Sequence, residues 1–132
     1  MQVSNDEKVI AVGAPAAPGS ATGDIFIFTR SETSGTFTLF QTIAAPTGAL
    51  SYGTAVAISK TGVYLAVGAP GSAAGGRVYA YRRTKGGQYK QVGPPLTLAI
   101  FTQNVPSFAT GTNQFGFALA MPNSGKQLFI GE

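Results

Sequence analysis

Few residues in this chain of 132 amino acids could carry chemistry. There is no cysteine, no histidine and only five acidic residues. Without a thiol or an imidazole, the usual pairs of nucleophile and base are excluded, and so are histidine and cysteine metal sites. Paired carboxylates for glycoside hydrolysis would have to come from acidic residues in predicted turns or at strand ends, which show no sign of pairing. These residues are Asp6, Glu7, Asp24 and Glu32. We therefore expect no catalytic residues and no enzyme activity.

A glycine-rich segment, GAPGSAAGG at residues 68–76, has the composition of a phosphate-binding loop. Such a loop needs Gly-Lys-Ser or Gly-Lys-Thr at the start of a helix that follows a strand. Here Arg77 begins a predicted strand instead. We interpret the segment as a connection between strands.

Positive charge is concentrated in one part of the chain. The net charge is +4, and five of the nine cationic residues lie between residues 77 and 90. Nucleic acid bound through this segment would be released steeply by salt. The simpler interpretation is that the cations occupy the solvated tip of a hairpin, and we do not expect nucleic acid as a partner. The residues of this predicted basic patch are Arg82, Arg83, Lys85 and Lys90.

The composition predicts one domain of short strands and turns. Hydrophobic residues make up 44% of the chain and charged residues 11%, against roughly 25% charged residues in typical soluble domains. No apolar run approaches the roughly 18 residues needed to cross a membrane, so we expect no membrane span. The first ten residues, MQVSNDEKVI, lack the layout of a secretory signal. The chain is therefore expected to be cytosolic, or a mature or excised portion of a longer protein.

Internal repeats organise the chain. The segment VYLAVGAP at residues 63–70 has a near copy, KVIAVGAP, at residues 8–15. Each repeated segment is short, rich in β-branched and aromatic residues, and bounded by turn residues. Four such strands per period of 52 to 63 residues, with no helical periodicity, predict blades of a β-propeller. The other matches are GDIFIFTR (23–30) with GRVYAYRR (76–83), GTFTLFQT (35–42) with GQYKQVGP (87–94), YGTAVAIS (52–59) with FGFALAMP (115–122), and QLFIGE (127–132) as a degenerate third copy of VIAVGA.

Two of the predicted strands are apolar on both faces. In residues 25–28, phenylalanines fall on one face and isoleucines on the other. Residues 78–81 repeat this order, with tyrosines on one face and Val78 and Ala80 on the other. A strand that is apolar without alternation must be covered on both sides. We therefore predict sheets stacked face to face, each with two unlike faces, rather than two hairpins of an ordinary sandwich.

The ordered series of motifs resembles FG-GAP repeats, the blades of integrin α-subunit β-propellers and of many microbial and algal surface proteins. The resemblance rests on Tyr52-Gly53 or Phe115-Gly116, then an Ala-Val-Ala-Ile-Ser strand, Val-Gly-Ala-Pro and Gly-x-Val-Tyr-x-Tyr. It covers nearly the whole chain. It implies an all-β fold, a partial β-propeller of four-stranded antiparallel blades.

Mapped on the sequence, the resemblance implies one partial propeller unit of about two blades and a surplus strand. Residues 1–44 would hold strands two to four of a first blade, residues 45–98 a complete second blade, and residues 99–132 a long loop and strands one and two of a third. Propellers close with typically four to eight blades, so further blades are the expected partners. They would come from the same parent chain, or from other copies that close a ring or extend into a filament.

Many members of this family carry a calcium loop between the FG strand and the GAP strand. Calcium needs several oxygen ligands, mostly carboxylates. The matching loops here are residues 4–7, 59–62 and 123–126, and only the first contains acidic residues. Those two, Asp6 and Glu7, are adjacent and cannot both point into one site from a tight turn. We expect no calcium, no other metal and no cofactor.

By resemblance, the expected function is that of a non-enzymatic adhesion or structural module, extracellular or on the cell surface, with a protein or glycan as ligand. The alternatives are a carbohydrate-binding, lectin-like propeller and the non-catalytic part of a larger surface enzyme. The loop at residues 99–114 is longer than its counterpart at 44–51, and inserted loops often form a binding face. Alternatively, its phenylalanines pack beneath the loop. The candidate contact residues are Phe101, Asn104, Phe108 and Asn113.

Overall fold

The computed structural model describes residues 1–16, 23–73, 75–97, 114–122 and 127–131, which form eleven strands and no helix. β1 (Gln2–Val3), β2 (Val9–Ala14), β3 (Asp24–Arg30) and β4 (Phe37–Ala44) form the first sheet in this order. β5 (Ala55–Ile58), β6 (Tyr64–Ala69), β7 (Arg77–Arg83) and β8 (Tyr89–Gln91) form the second sheet, in which β9 (Leu96–Thr97) also pairs with β7. β10 (Ala118–Ala120) and β11 (Phe129–Gly131) form the third. The pairings within the three sheets are antiparallel. The fold is all-β, a partial β-propeller of antiparallel blades.

Two strands differ from the sequence-based expectation. β1 adds a short fourth strand to the first sheet, because Val3 pairs with Ile10 across the turn. The outer strand of the second sheet is divided into β8 and β9, which pair with opposite halves of β7. Pro94 and Pro95 lie between these two pieces, and proline has no N–H with which to continue a ladder. The assignment of residues 1–44, 45–98 and 99–132 to blades of one propeller unit stays a prediction.

The first and second sheets pack face to face. We call the face of each sheet that is turned toward the following sheet its front, and the opposite face its back. The front of the first sheet and the back of the second share one buried cluster. It includes Val9, Ala11, Ile25 and Ile27 from the first sheet, and Val56, Ile58, Leu65, Val67, Tyr79, Tyr81 and Tyr89 from the second. The stacking that was predicted from strands apolar on both faces is therefore present.

The second and third sheets repeat this arrangement. Ala57, Ala66 and Val78, on the front of the second sheet, are buried with Phe115 at the start of the third. Half-buried side chains of the third sheet, among them Leu119 and Ile130, pack against this cluster. Consecutive residues of β7 thus serve two cores, since Val78 faces the third sheet and Tyr79 faces the first.

Glycines of the repeated motifs lie where consecutive sheets approach most closely. A Cβ atom built on Gly68 would lie 1.9 Å from the carbonyl oxygen of Gly116, at the start of the third sheet. One built on Gly13 would lie 2.1 Å from the carbonyl oxygen of Gly53, at the start of the second. No side chain fits between backbones at this separation. The glycine of Val-Gly-Ala-Pro is therefore required by the aromatic-glycine pair that begins the next sheet.

Candidate functional site

The structure brings the predicted basic patch together at the hairpin that joins β7 to β8. Arg82 and Lys90 lie directly opposite each other in the antiparallel pair. Lys85 is exposed in the turn between the two strands. A shallow cavity of about 370 Å³ runs along this hairpin. Its lining is Arg82, Arg83, Thr84, Lys85, Lys90, Gln91 and Val92, and we call this set the basic hairpin.

Two arginines of the basic hairpin are held by neighbouring groups. The Arg83 Nε atom donates a hydrogen bond to the carbonyl oxygen of Gly87, at 3.1 Å, which fixes the guanidinium beside the turn. The guanidinium carbon of Arg82 lies 5.9 Å from the centre of the Tyr64 ring, within the range of a cation–π contact. Lys90, in contrast, is exposed and extends into solvent.

The equivalent hairpin of the first sheet, between β3 and β4, shares the arginine bond to the turn but has a different charge and a turn that is one residue longer. There the Arg30 Nε atom donates to the carbonyl oxygen of Gly35, again at 3.1 Å. Glu32, which occupies the position of Lys85, forms an ion pair of 2.8 Å with Lys8. The pair holds the pKa of Glu32 below its usual value and raises that of Lys8. The positive charge at the first hairpin is therefore neutralised by acidic residues of the same sheet.

No acidic residue occupies the corresponding region of the second sheet. Six of the nine cationic residues and none of the five acidic residues lie between residues 45 and 97. Both ion pairs found among the described residues, Lys8 with Glu32 and Arg30 with Glu7, belong to the first sheet. The charge of the basic hairpin is therefore not compensated by its own segment.

The turn at residues 4–7, which matches the calcium loop by resemblance, is closed by internal hydrogen bonds. The Ser4 hydroxyl donates to Asp6 Oδ1 at 2.6 Å and accepts from the Val9 amide at 3.0 Å. Partial burial alone would raise the pKa of the Asp6 carboxyl, but the hydrogen bonds from Ser4 and from the Lys8 amide hold it below its ordinary value. Glu7 points elsewhere, with Oε2 3.5 Å from an Arg30 nitrogen.

The two adjacent carboxylates therefore have separate partners, as was expected for a tight turn. In the described ranges, no group of three or more acidic side chains converges where a metal ion could bind. In the equivalent turn of the second sheet, the Ser59 hydroxyl accepts from the Tyr64 amide at 3.0 Å, and Thr61 stands in place of Asp6. Residues 123–126 lie outside the described part of the chain. The absence of calcium and of cofactors stays a prediction.

The candidate loop residues Phe101, Asn104, Phe108 and Asn113 also lie outside the described residues. Their role as ligand contacts stays a prediction, and so does the alternative that the phenylalanines pack beneath the loop.

The back of the first sheet is an apolar surface whose residues were not predicted individually. Val3 is 44% exposed, Phe37 39% and Leu39 53%. Four more side chains on the same face are half-buried: Ile10, Val12, Phe26 and Phe28. The repeat alignment could have indicated this apolar surface, because it aligns these residues with the covered back of the second sheet. The front of the third sheet is also open, with Phe129 62% exposed.

No protein-family model matches the chain, and no curated protein matches it either. Among the described residues, no helix has the length and hydropathy to span a membrane.

Proposed function

We propose that this chain is a non-enzymatic adhesion or structural module of the FG-GAP type, which functions extracellularly or at a cell surface as part of a larger propeller or assembly. The observation that supports it is the chemistry of the two open faces. Each open face repeats a face that is buried elsewhere in the same chain. In this proposal, further blade-like sheets cover both.

The back of the first sheet matches the back of the second at its three aromatic positions. Phe26, Phe28 and Phe37 correspond in the repeat to Tyr79, Tyr81 and Tyr89. The three tyrosines are 2%, 4% and 3% exposed because the first sheet covers them. The corresponding phenylalanines have no such cover among the described residues. Exposed apolar patches of this kind mark interaction surfaces.

The front of the third sheet has a glycine at the position where the first and second sheets each approach the next sheet. Gly131 corresponds to Gly13 and Gly68, which each adjoin the first residues of the next sheet. At Gly131 the nearest atom to a built Cβ is the Ala118 side chain of the same sheet, at 3.3 Å. In the proposal, the aromatic-glycine pair of another blade occupies the space in front of this glycine.

The absolute solution mass across a concentration series tests this function. We expect the mass to rise with concentration and Phe37→Glu to suppress the rise, because Phe37 corresponds to the buried Tyr89 and a charge there would be buried without a partner. Val92→Glu is the control, since Val92 is also an exposed apolar residue, at 53%, but lies on the basic hairpin. A discrete multimer would show that other copies of this chain supply the further blades. A monomer at every concentration that binds no apolar-surface dye would contradict the proposal.

A second candidate function, carbohydrate binding, is favoured by a cavity of about 200 Å³ between the second and third sheets. Phe117, 52% exposed, lines it beside the polar side chains of Ser51, Thr54 and Gln114. An aromatic ring next to hydroxyl and amide groups is suited to a sugar. A panel of neutral glycans, tested against Phe117→Ala with Phe129→Ala as control, would decide this candidate. Binding that is unchanged in Phe117→Ala would rule the cavity out.

A further inference from the structure

We propose that the basic hairpin is a binding site for an acidic polysaccharide, a sugar polymer that carries repeated sulfate or carboxylate groups. The site deepens the proposed function by naming a class of partner, and it rests on that function only for its extracellular setting. The polymer would contact Lys85 in the turn and Arg82 and Lys90 on one face of the hairpin, while Arg83 lines the same cavity from the other face.

The strand register places two like charges opposite each other. Arg82 and Lys90 are direct cross-strand partners, and like charges at such positions destabilise a sheet. No acidic residue between residues 45 and 97 relieves this repulsion. An external anion that lies across both side chains would relieve the repulsion. Binding of an anion would therefore also stabilise the hairpin.

The arginines are preorganised for this contact. Arg83 is tied to the Gly87 carbonyl and Arg82 lies against the Tyr64 ring, so less side-chain entropy is lost when an anion binds. A guanidinium group presents paired donors that match sulfate and carboxylate oxygens. Lys85 and Lys90 are exposed and supply two further charges along the same cavity.

The aromatic rings near the site favour a sugar polymer over nucleic acid. Proteins bind single-stranded nucleic acid by stacking bases on free aromatic faces. Here Arg82 covers a face of Tyr64, and Tyr89 is only 3% exposed. The strands of the hairpin therefore offer charge rather than a free ring of their own, which fits a chain of anionic groups on non-aromatic rings. An exposed ring of the first sheet, Phe40, lies beside the turn at Gly87.

The first sheet contains a natural comparison. Its equivalent hairpin keeps the arginine bond to the turn, between Arg30 and Gly35, but carries Glu32 in place of Lys85 and Thr38 in place of Lys90. Of these two hairpins, the second combines the shared arginine bond with cations that its own segment does not compensate.

The test is a titration of the 132-residue chain, at low salt, with a heparin-type sulfated polysaccharide, a polyuronate and neutral dextran. We expect binding to one or both acidic polymers, weakening with added salt, and none to dextran. Binding to the sulfated polymer alone or to the polyuronate alone would identify the anionic group. Failure to bind either acidic polymer would overturn the site.

Two variants of equal charge change locate the site. We expect Lys85→Glu to weaken binding about tenfold and Lys60→Glu less than about twofold, because Lys60 is an exposed cation that does not line the cavity. Equal losses would show that overall charge alone attracts the polymer, and would overturn the site. So would tighter binding to single-stranded or duplex DNA. Thermal melting of both variants confirms that they are folded. The solution mass tests the proposed adhesion or structural function independently of polymer binding.

Discussion

The hydroxyl groups of Tyr52 and Tyr81 are hydrogen-bonded at 2.6 Å in the core between the first two sheets. Tyr79 meets the Tyr52 ring edge-on, with centroids 5.6 Å apart. Burial raises the pKa of Tyr52, and the bond to Tyr81 adds to this effect. Burial also raises the pKa of Tyr81, against the opposing effect of the same bond. The two rings thus bring polar atoms into an apolar interface and satisfy them there.

Removing both hydroxyls of this pair should cost less than the sum of the two single removals. We expect Tyr81→Phe to lower the free energy of unfolding by about 1–2 kcal/mol, because the Tyr52 hydroxyl is left buried without its partner. The double variant Tyr52→Phe/Tyr81→Phe should cost less than the sum of the single variants. Urea denaturation of all three measures the coupling, with Tyr64→Phe, outside the core, as control. Additive losses would show that the pair is not coupled.

Alkaline pH should destabilise the fold through its buried tyrosines. Burial raises the pKa of Tyr89 to about 12, although nearby Arg83 lowers it, and its hydroxyl donates to the Gly62 carbonyl. Because an unfolded tyrosine titrates near ~10, the folded chain keeps a proton that the unfolded chain loses. This contribution to stability is complete below pH ~10 and is lost as the pH rises toward the folded pKa.

Tyrosinate absorbance against pH checks this prediction. Fewer than the five tyrosines of the chain should ionise near pH ~10 while circular dichroism still reports a folded protein. Ionisation of all five together, with the fold intact, would contradict the burial of Tyr52, Tyr81 and Tyr89.

Replacing the motif glycine should disrupt the packing of the second sheet on the third. In Gly68→Ala, the new methyl group would meet the backbone oxygen of Gly116, which no rotamer change can move away. We expect a loss of at least about 2 kcal/mol in the free energy of unfolding. Gly86→Ala is the matched control, since the nearest atom to its built Cβ is the Thr84 hydroxyl oxygen, at 3.9 Å. Similar melting temperatures for the two variants would be inconsistent with the close approach.

One side chain links the outer strands of the first two sheets. Gln41 donates from Nε2 to the Tyr89 carbonyl at 3.0 Å and accepts at Oε1 from the Tyr89 amide at 2.8 Å. Gln41→Leu leaves both backbone groups unpaired, so we expect a loss of about 2 kcal/mol on chemical denaturation. Gln91→Leu, at an exposed glutamine, should change stability by less than about 0.5 kcal/mol. An unchanged free energy of unfolding in Gln41→Leu would show that water replaces the two hydrogen bonds.

The sequence predicted the elements that repeat and missed the contacts that do not. Strands apolar on both faces predict stacking, because an apolar strand must be covered on both sides. The Tyr52–Tyr81 and Gln41–Tyr89 contacts join residues 29 and 48 positions apart and depend on how the sheets are stacked, so no local pattern encodes them. The basic patch was predicted by composition. That Arg82 lies opposite Lys90 and covers Tyr64 follows only from the strand register of β7, which composition does not give.

The division of the second sheet's outer strand has a consequence for its free edge. β4 is the last strand of the first sheet and runs without proline from Phe37 to Ala44, with one register shift near Phe40. The corresponding edge of the second sheet is interrupted at Pro94 and Pro95, which offer no N–H to a neighbour. A foreign extended peptide could therefore pair with a longer run of the outer edge of the first sheet than of the second. Between these two outer edges, strand addition, and aggregation that starts from it, is favoured at β4.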